Sequence, residues 1–77
     1  MAVLNITYNG LSADYPLDVR VALSDADVKR IAVEVVRAGG LRGLSVPDLR
    51  ADAFDNFVVD RFDGGERIYL RPKVPFG

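Results

Sequence analysis

Residues 23 to 40, "LSDADVKRIAVEVVRAGG", carry a full set of helix start and stop signals, while the segments on both sides alternate as strands do. Ser24 is a good N-cap, and Asp25 and Asp27 put negative charge in the first turn, where the helix dipole favours it. Leu23 and Val28 stand at the N′ and N4 positions of a hydrophobic staple. Val28, Ile31, Ala32 and Val35 keep the i, i+3, i+4, i+7 rule, with Lys29, Arg30, Glu34 and Arg37 mostly on the other side. Gly39–Gly40 supplies the stop, so the spacing predicts a helix over 25–38. One amphipathic helix has one apolar stripe, and it needs a sheet to bury it against.

The flanking segments supply that sheet. "AVLNITY" sets Ala2, Leu4, Ile6 and Tyr8 on one face and Val3, Asn5 and Thr7 on the other. Asn9–Gly10 is a strong turn signal. "YPLDVRVAL" then alternates Tyr15, Leu17, Val19, Val21 and Leu23 against Pro16, Asp18, Arg20 and Ala22, which completes an N-terminal hairpin with a loop of two residues or more. Pro16 cannot donate a ladder bond, so it belongs at an edge or at the strand's start. Toward the C-terminus, "NFVVDRF" and "ERIYLRP" read as strands joined by the "DGG" turn at 63 to 65. Ile68 and Leu70 should face the core, with Arg67, Tyr69 and Arg71 outward. Pro72 and Pro75 should make pairing fade beyond Leu70. Residues 41 to 56 are compatible with a short helix from Pro47, capped near Ser45 or Val46, or with a short strand and an irregular turn.

The order is strand, strand, helix, strands. If the first and last strands lie side by side in parallel, the helix is the crossover that permits it. The expected fold is therefore α+β: a single-domain β-grasp with an N-terminal β-hairpin, one main helix and a mixed sheet. The domain is expected over residues 1–71, with 72–77 as a flexible tail. A chain of 77 residues supports one core.

Composition narrows the chemistry. The net charge of −1 and the pI near 5.2 argue against nucleic acid as a main partner, since phosphate binding needs concentrated Lys and Arg. No apolar run is long enough for a membrane helix, no signal-peptide pattern opens the chain, and no Cys suggests a disulfide framework, so the cytoplasm is the default compartment. Cys and His are both absent, which removes thiol nucleophiles, imidazole bases and the commonest soft metal ligands. An enzyme is not expected on that inventory, nor is a cofactor. Asp48, Asp52, Asp55, Asp60 and Asp63 match no calcium-loop spacing and read as a solvated acidic face. Gly39, Gly40 and Gly43 follow a helix rather than precede one, so they end it and do not cradle phosphate.

The closing segment "DGGERIYLRPKVPFG" resembles that of the β-grasp sulfur carriers of the molybdopterin and thiamine pathways: an acidic-Gly turn, an alternating apolar strand, a Pro and a terminal Gly. Chain length and helix position also resemble ubiquitin, and size and plan are similar to the bacterial ubiquitin-like proteins. The resemblance implies that an activating enzyme adenylates the carboxylate of Gly77, followed by conjugation to a target or, as the alternative, formation of a thiocarboxylate. The implied partners are that activating enzyme, with a conjugating enzyme or isopeptidase beside it, acting on a monomer. By the same resemblance Arg71 matches the basic position where strand becomes tail. Phe76 departs from the family's Gly-Gly ending, and its ring would clash in a channel shaped for glycine.

A third reading makes the chain a non-covalent adaptor. Tyr69 between Arg67 and Arg71 has the composition of an interface hot spot, set against the plainer role of covering the core's edge. In ubiquitin-like proteins the outer sheet face near this strand and the first hairpin loop is the usual partner surface. That implies a partner-binding set of Leu11, Arg67, Tyr69, Arg71 and Phe76. Lys29 and Lys73 are the two side-chain amines; Lys29 is a possible acceptor for a second copy, although a solubilising role is the simpler one.

Overall fold

The computed structural model describes residues 2–17 and 23–73. Strands β1 (Ala2–Tyr8) and β2 (Leu11–Leu17) precede helix α1 (Asp25–Arg37), and β3 (Phe57–Phe62) and β4 (Arg67–Pro72) follow it. All four strands form one sheet in the order β2-β1-β4-β3. The two outer pairs are antiparallel, and the central β1–β4 pair is parallel. The fold is α+β, with one helix over one face of a mixed sheet. Val19, Val21 and the segment from Val74 to Gly77, Phe76 included, lie outside the described residues.

The hairpin turns on Asn9–Gly10 alone. Tyr8 pairs with Leu11, and both turn residues have positive φ, 51° and 77°, the combination that matches the twist of the flanking strands. β2 therefore starts at Leu11, earlier than the alternation from Tyr15 suggests. Pro16 is on the edge strand, as a missing donor requires, but near that strand's end and not at its start.

α1 is closed at both ends by its own chain. Ser24 Oγ accepts from the Asp27 N–H at 3.1 Å, and Asp27 Oδ2 accepts from the Ser24 N–H at 3.4 Å. This is a capping box with aspartate in the usual glutamate position. At the other end the Gly39 N–H bonds to the Val36 carbonyl and the Gly40 N–H to the Val35 carbonyl. With Gly39 at φ 72°, this is a Schellman stop. Val28, Ala32, Val33, Val35 and Val36 are buried, and Leu23 and Ile31 pack against them. They meet Ala2, Leu4 and Ile6 of β1, Leu17 of β2, and Ile68 and Leu70 of β4.

Residues 41–56 form neither the short helix from Pro47 nor a regular strand. They are a chain of turns with one isolated bridge, Leu41 to Leu44. The segment still buries Leu41, Leu44, Leu49 and Phe54. Phe54 is fully enclosed, edge-on to Tyr8 at 5.7 Å and to Phe57 at 4.8 Å. Cations from the helix hold the turns: Lys29 Nζ donates to the Asp55 carbonyl at 2.9 Å, and Arg37 Nε donates to the Leu49 carbonyl. A propensity reading misses such a segment because its order comes from these distant anchors.

Pairing does not fade evenly beyond Leu70. It stops there toward β1, where Ile6–Leu70 is the last pair, but continues toward β3 through Phe57–Pro72. The Val3 N–H bonds to the Glu66 carbonyl at 2.8 Å, so the even-numbered residues of β4 turn their backbone groups to β1. Pro72 is next in that series and has no N–H to give. The odd-numbered residues, Arg67, Tyr69 and Arg71, bond to β3 and are untouched by the proline.

Phe54→Ala should cost about 3–5 kcal/mol of unfolding free energy in a urea melt, a large share of what so small a domain holds. Ser24→Ala should cost about 1 kcal/mol at neutral pH. The Ser24 bonds lower the Asp27 pKa from its ordinary 3.8. The stability linked to that shift is present above 3.8 and is lost as pH falls through the lower folded value. The gap between wild type and Ser24→Ala should therefore narrow in melts taken below pH 3.8.

Candidate functional site: the outer face of the sheet

With α1 on one side, strand alternation sends every second side chain of the sheet to the other. The register lines up Phe62, Arg67, Val3 and Pro16 in one row and Asp60, Tyr69, Asn5 and Asp14 in the next. Val58 and Arg71 begin a third. The face divides in two. Toward β2 it is polar and self-satisfied: Asn5 Nδ2 donates to Asp14 at 2.7 Å, and Ser12 Oγ bonds to the Asn5 side-chain oxygen at 3.1 Å. Toward β3 it is aromatic.

Phe62 and Tyr69 meet edge-to-face at 5.4 Å between ring centres. The Arg71 guanidinium lies 5.5 Å above the Tyr69 ring and also binds the Asp60 carboxylate at 2.6 Å. Tyr69 is thus held from both sides, which lowers the side-chain entropy lost on docking. Phe62 is 48% exposed and Val58 40%, both high for apolar side chains. Arg67 lies 3.5 Å from Asp63, and its pKa is pushed up by the Tyr69 side chain first and then by Asp63. It stays charged and largely open to solvent.

Of the residues singled out from the sequence, this face unites Arg67, Tyr69 and Arg71. Leu11 does not join them. It pairs with Tyr8 and shares the parity of Ala13, Tyr15 and Leu17, which places it on the helix side at the hairpin end. Lys29 is also on that side, half-buried and occupied with the Asp55 carbonyl. Phe76 and Gly77 are outside the described residues. Phe62 and Val58 are site residues that sequence reasoning passed over. Alternation in "FVVDRF" sets them on one face with Asp60, but only the pairing with β4 shows which face that is.

A concavity of about 510 Å³ opens between α1 and the turns, lined by Lys29, Arg30, Glu34, Arg37, Ala51 and Asp55. Its charged groups belong to opposite signs and two of its cations serve the turns, so it presents no reactive set. Among the described residues no three acidic side chains gather to hold a metal, and no helix is long and apolar enough to cross a membrane. No family model, curated protein or solved structure matches the chain.

A double-mutant cycle on Phe62→Ala and Tyr69→Ala should give a coupling of about 0.5–1.5 kcal/mol in denaturant melts. A value near zero would mean that the rings do not organise one another.

Proposed function

We propose that this protein is a β-grasp interaction module, not itself an enzyme, which docks on a protein partner through the outer face of its sheet. The observation that carries the reading is the Phe62–Tyr69 pair under the Arg71 guanidinium, exposed on a face that no described element covers. Interface hot spots are enriched in aromatic and arginine side chains; a ring buries a large area at the cost of two torsions, and the Asp60 contact already restrains the Arg71 guanidinium. The partner surface would have an apolar centre for Val58, Phe62 and Tyr69 and carboxylates at its rim for Arg67. The test uses a photo-cross-linking benzoylphenylalanine at Val58, expressed in the cells of origin. A discrete adduct is expected, lost in the Arg67→Glu, Arg71→Glu variant and retained when Gly77 is deleted. The absence of any adduct at Val58 would refute the outer face as the docking surface, and an adduct indifferent to the charge reversal would refute the part given to Arg67 and Arg71.

A second reading, a ubiquitin-like modifier activated at Gly77, is supported by the parallel β1–β4 pair, whose last strand leads directly into residues 73–77. Incubation with a cognate activating enzyme and ATP would then yield an adenylate or conjugate by mass spectrometry. A sulfur carrier would show one sulfur gained for one oxygen at the same carboxylate. In either case deletion of Gly77 abolishes activity, which the docking reading does not require.

A further inference from the structure

The two edges of the sheet are not equivalent. Because the even-numbered residues of β4 turn to β1, the β1 residues Val3, Asn5 and Thr7 face β4 and Ala2, Leu4, Ile6 and Tyr8 face β2. The backbone groups of β2 that point away from the sheet are then those of Ser12, Asp14 and Pro16. Pro16 has no N–H, so this edge is blunted where an added strand would need a donor. On the other side Val58, Asp60 and Phe62 pair with Arg71, Tyr69 and Arg67, the β4 residues whose backbone faces β3. The outward groups of β3 are therefore those of Phe57, Val59 and Arg61. The Phe57 N–H is taken by the Phe54 carbonyl at 3.0 Å, which marks where a pairing could start. Among the described residues Val59 and Arg61 each keep a donor and an acceptor on the edge, and β3 pairs with β4 alone. No proline interrupts β3.

We propose that this edge of β3 accepts an extended segment of a partner protein as an added strand, chosen by a basic side chain opposite Asp60 with apolar side chains two residues to either side. The proposal deepens the outer-face reading and rests on it, since the partner's outward side chains would continue the Phe62–Tyr69 patch. The selection rule comes from cross-strand pairing, in which directly opposed side chains share a face. The outward row of β3 is Val58, Asp60, Phe62: apolar, acidic, apolar. Asp60 already holds Arg71 at 2.6 Å, yet a carboxylate has acceptor sites for a second cation. A second copy of this chain fits poorly. The two-fold antiparallel register that sets Val58 against Phe62 also sets Asp60 against Asp60, and the neighbouring registers set Asp60 against Val58 or against Phe62.

The probe is the end-capped peptide Ser-Val-Thr-Arg-Thr-Val-Ser, titrated into the full chain and followed by amide NMR and hydrogen exchange. Binding should slow exchange at the Val59 and Arg61 amides. Val59→Pro removes an edge donor without touching the β4 ladder and should weaken binding by about tenfold or more. Should that variant fail to fold, Asp60→Lys serves independently: it should reverse the preference, taking the same peptide with Glu at the centre over the Arg form. Peptide-induced shifts confined to Phe62 and Tyr69, without protection at Val59 and Arg61, would overturn strand addition while leaving the outer-face docking surface intact. Protection of those amides without peptide, together with a dimer in sedimentation, would assign the edge to a second copy and overturn the proposal. So would an absence of binding by either peptide.

Discussion

The parallel contact between β1 and β4 is the constraint from which the remaining structure follows. Parallel neighbours cannot be joined by a tight turn, so the chain must leave the sheet, cross a face and return. α1 makes that crossing and buries its valines on Leu4, Ile6, Ile68 and Leu70, the side chains that the parallel register aligns. The same register sets the hydrogen-bond parity of the sheet. Residues of β4 serve β1 and β3 in alternation, so Pro72 ends one ladder and leaves the other intact. Each of the two prolines within the strands sits where its missing donor does least harm to the sheet.

A single helix covers a single face. The opposite face must be made tolerable to water or offered to a partner, and this sheet does both. Its β2 half closes on itself through Asn5, Ser12 and Asp14, while its β3 half displays two rings, an exposed valine and two arginines. Ion pairs on this face are exposed and contribute little to stability. Their effect is geometric: Asp60 holds Arg71 over Tyr69 and so fixes the ring's position.

Much of the fold is legible in the residues because local rules agree with one another there. Ser24 and Asp27 cap α1, Gly39 stops it, Asn9–Gly10 turns the hairpin, and Ile68 and Leu70 face inward as their alternation requires. Where local rules fall silent, the sequence leaves the outcome open. Phe54 sits in a run with no periodicity and is nonetheless fully enclosed, because its partners Tyr8 and Phe57 come from strands and its segment is tied down by Lys29 and Arg37. The site is legible to the same degree. Arg67, Tyr69 and Arg71 share a strand, so alternation groups them. Leu11 is set apart from them by a parity that follows only once the turn is known to be two residues long.

Periodicity, capping and turn chemistry act over a few residues, and so the sequence by itself determined where the helix starts and stops, which segments become strands, and which side chains of a strand share a face. It could not determine which strands are neighbours or in what order, because that depends on contacts between residues far apart along the chain. Tertiary structure alone decided that Phe62 comes to rest beside Tyr69, that Lys29 is spent on a loop carbonyl, and that, among the described residues, the donors and acceptors of Val59 and Arg61 lie on a sheet edge beside the aromatic patch. Each of these is a relation between two elements, and a pattern within one element carries no record of the other.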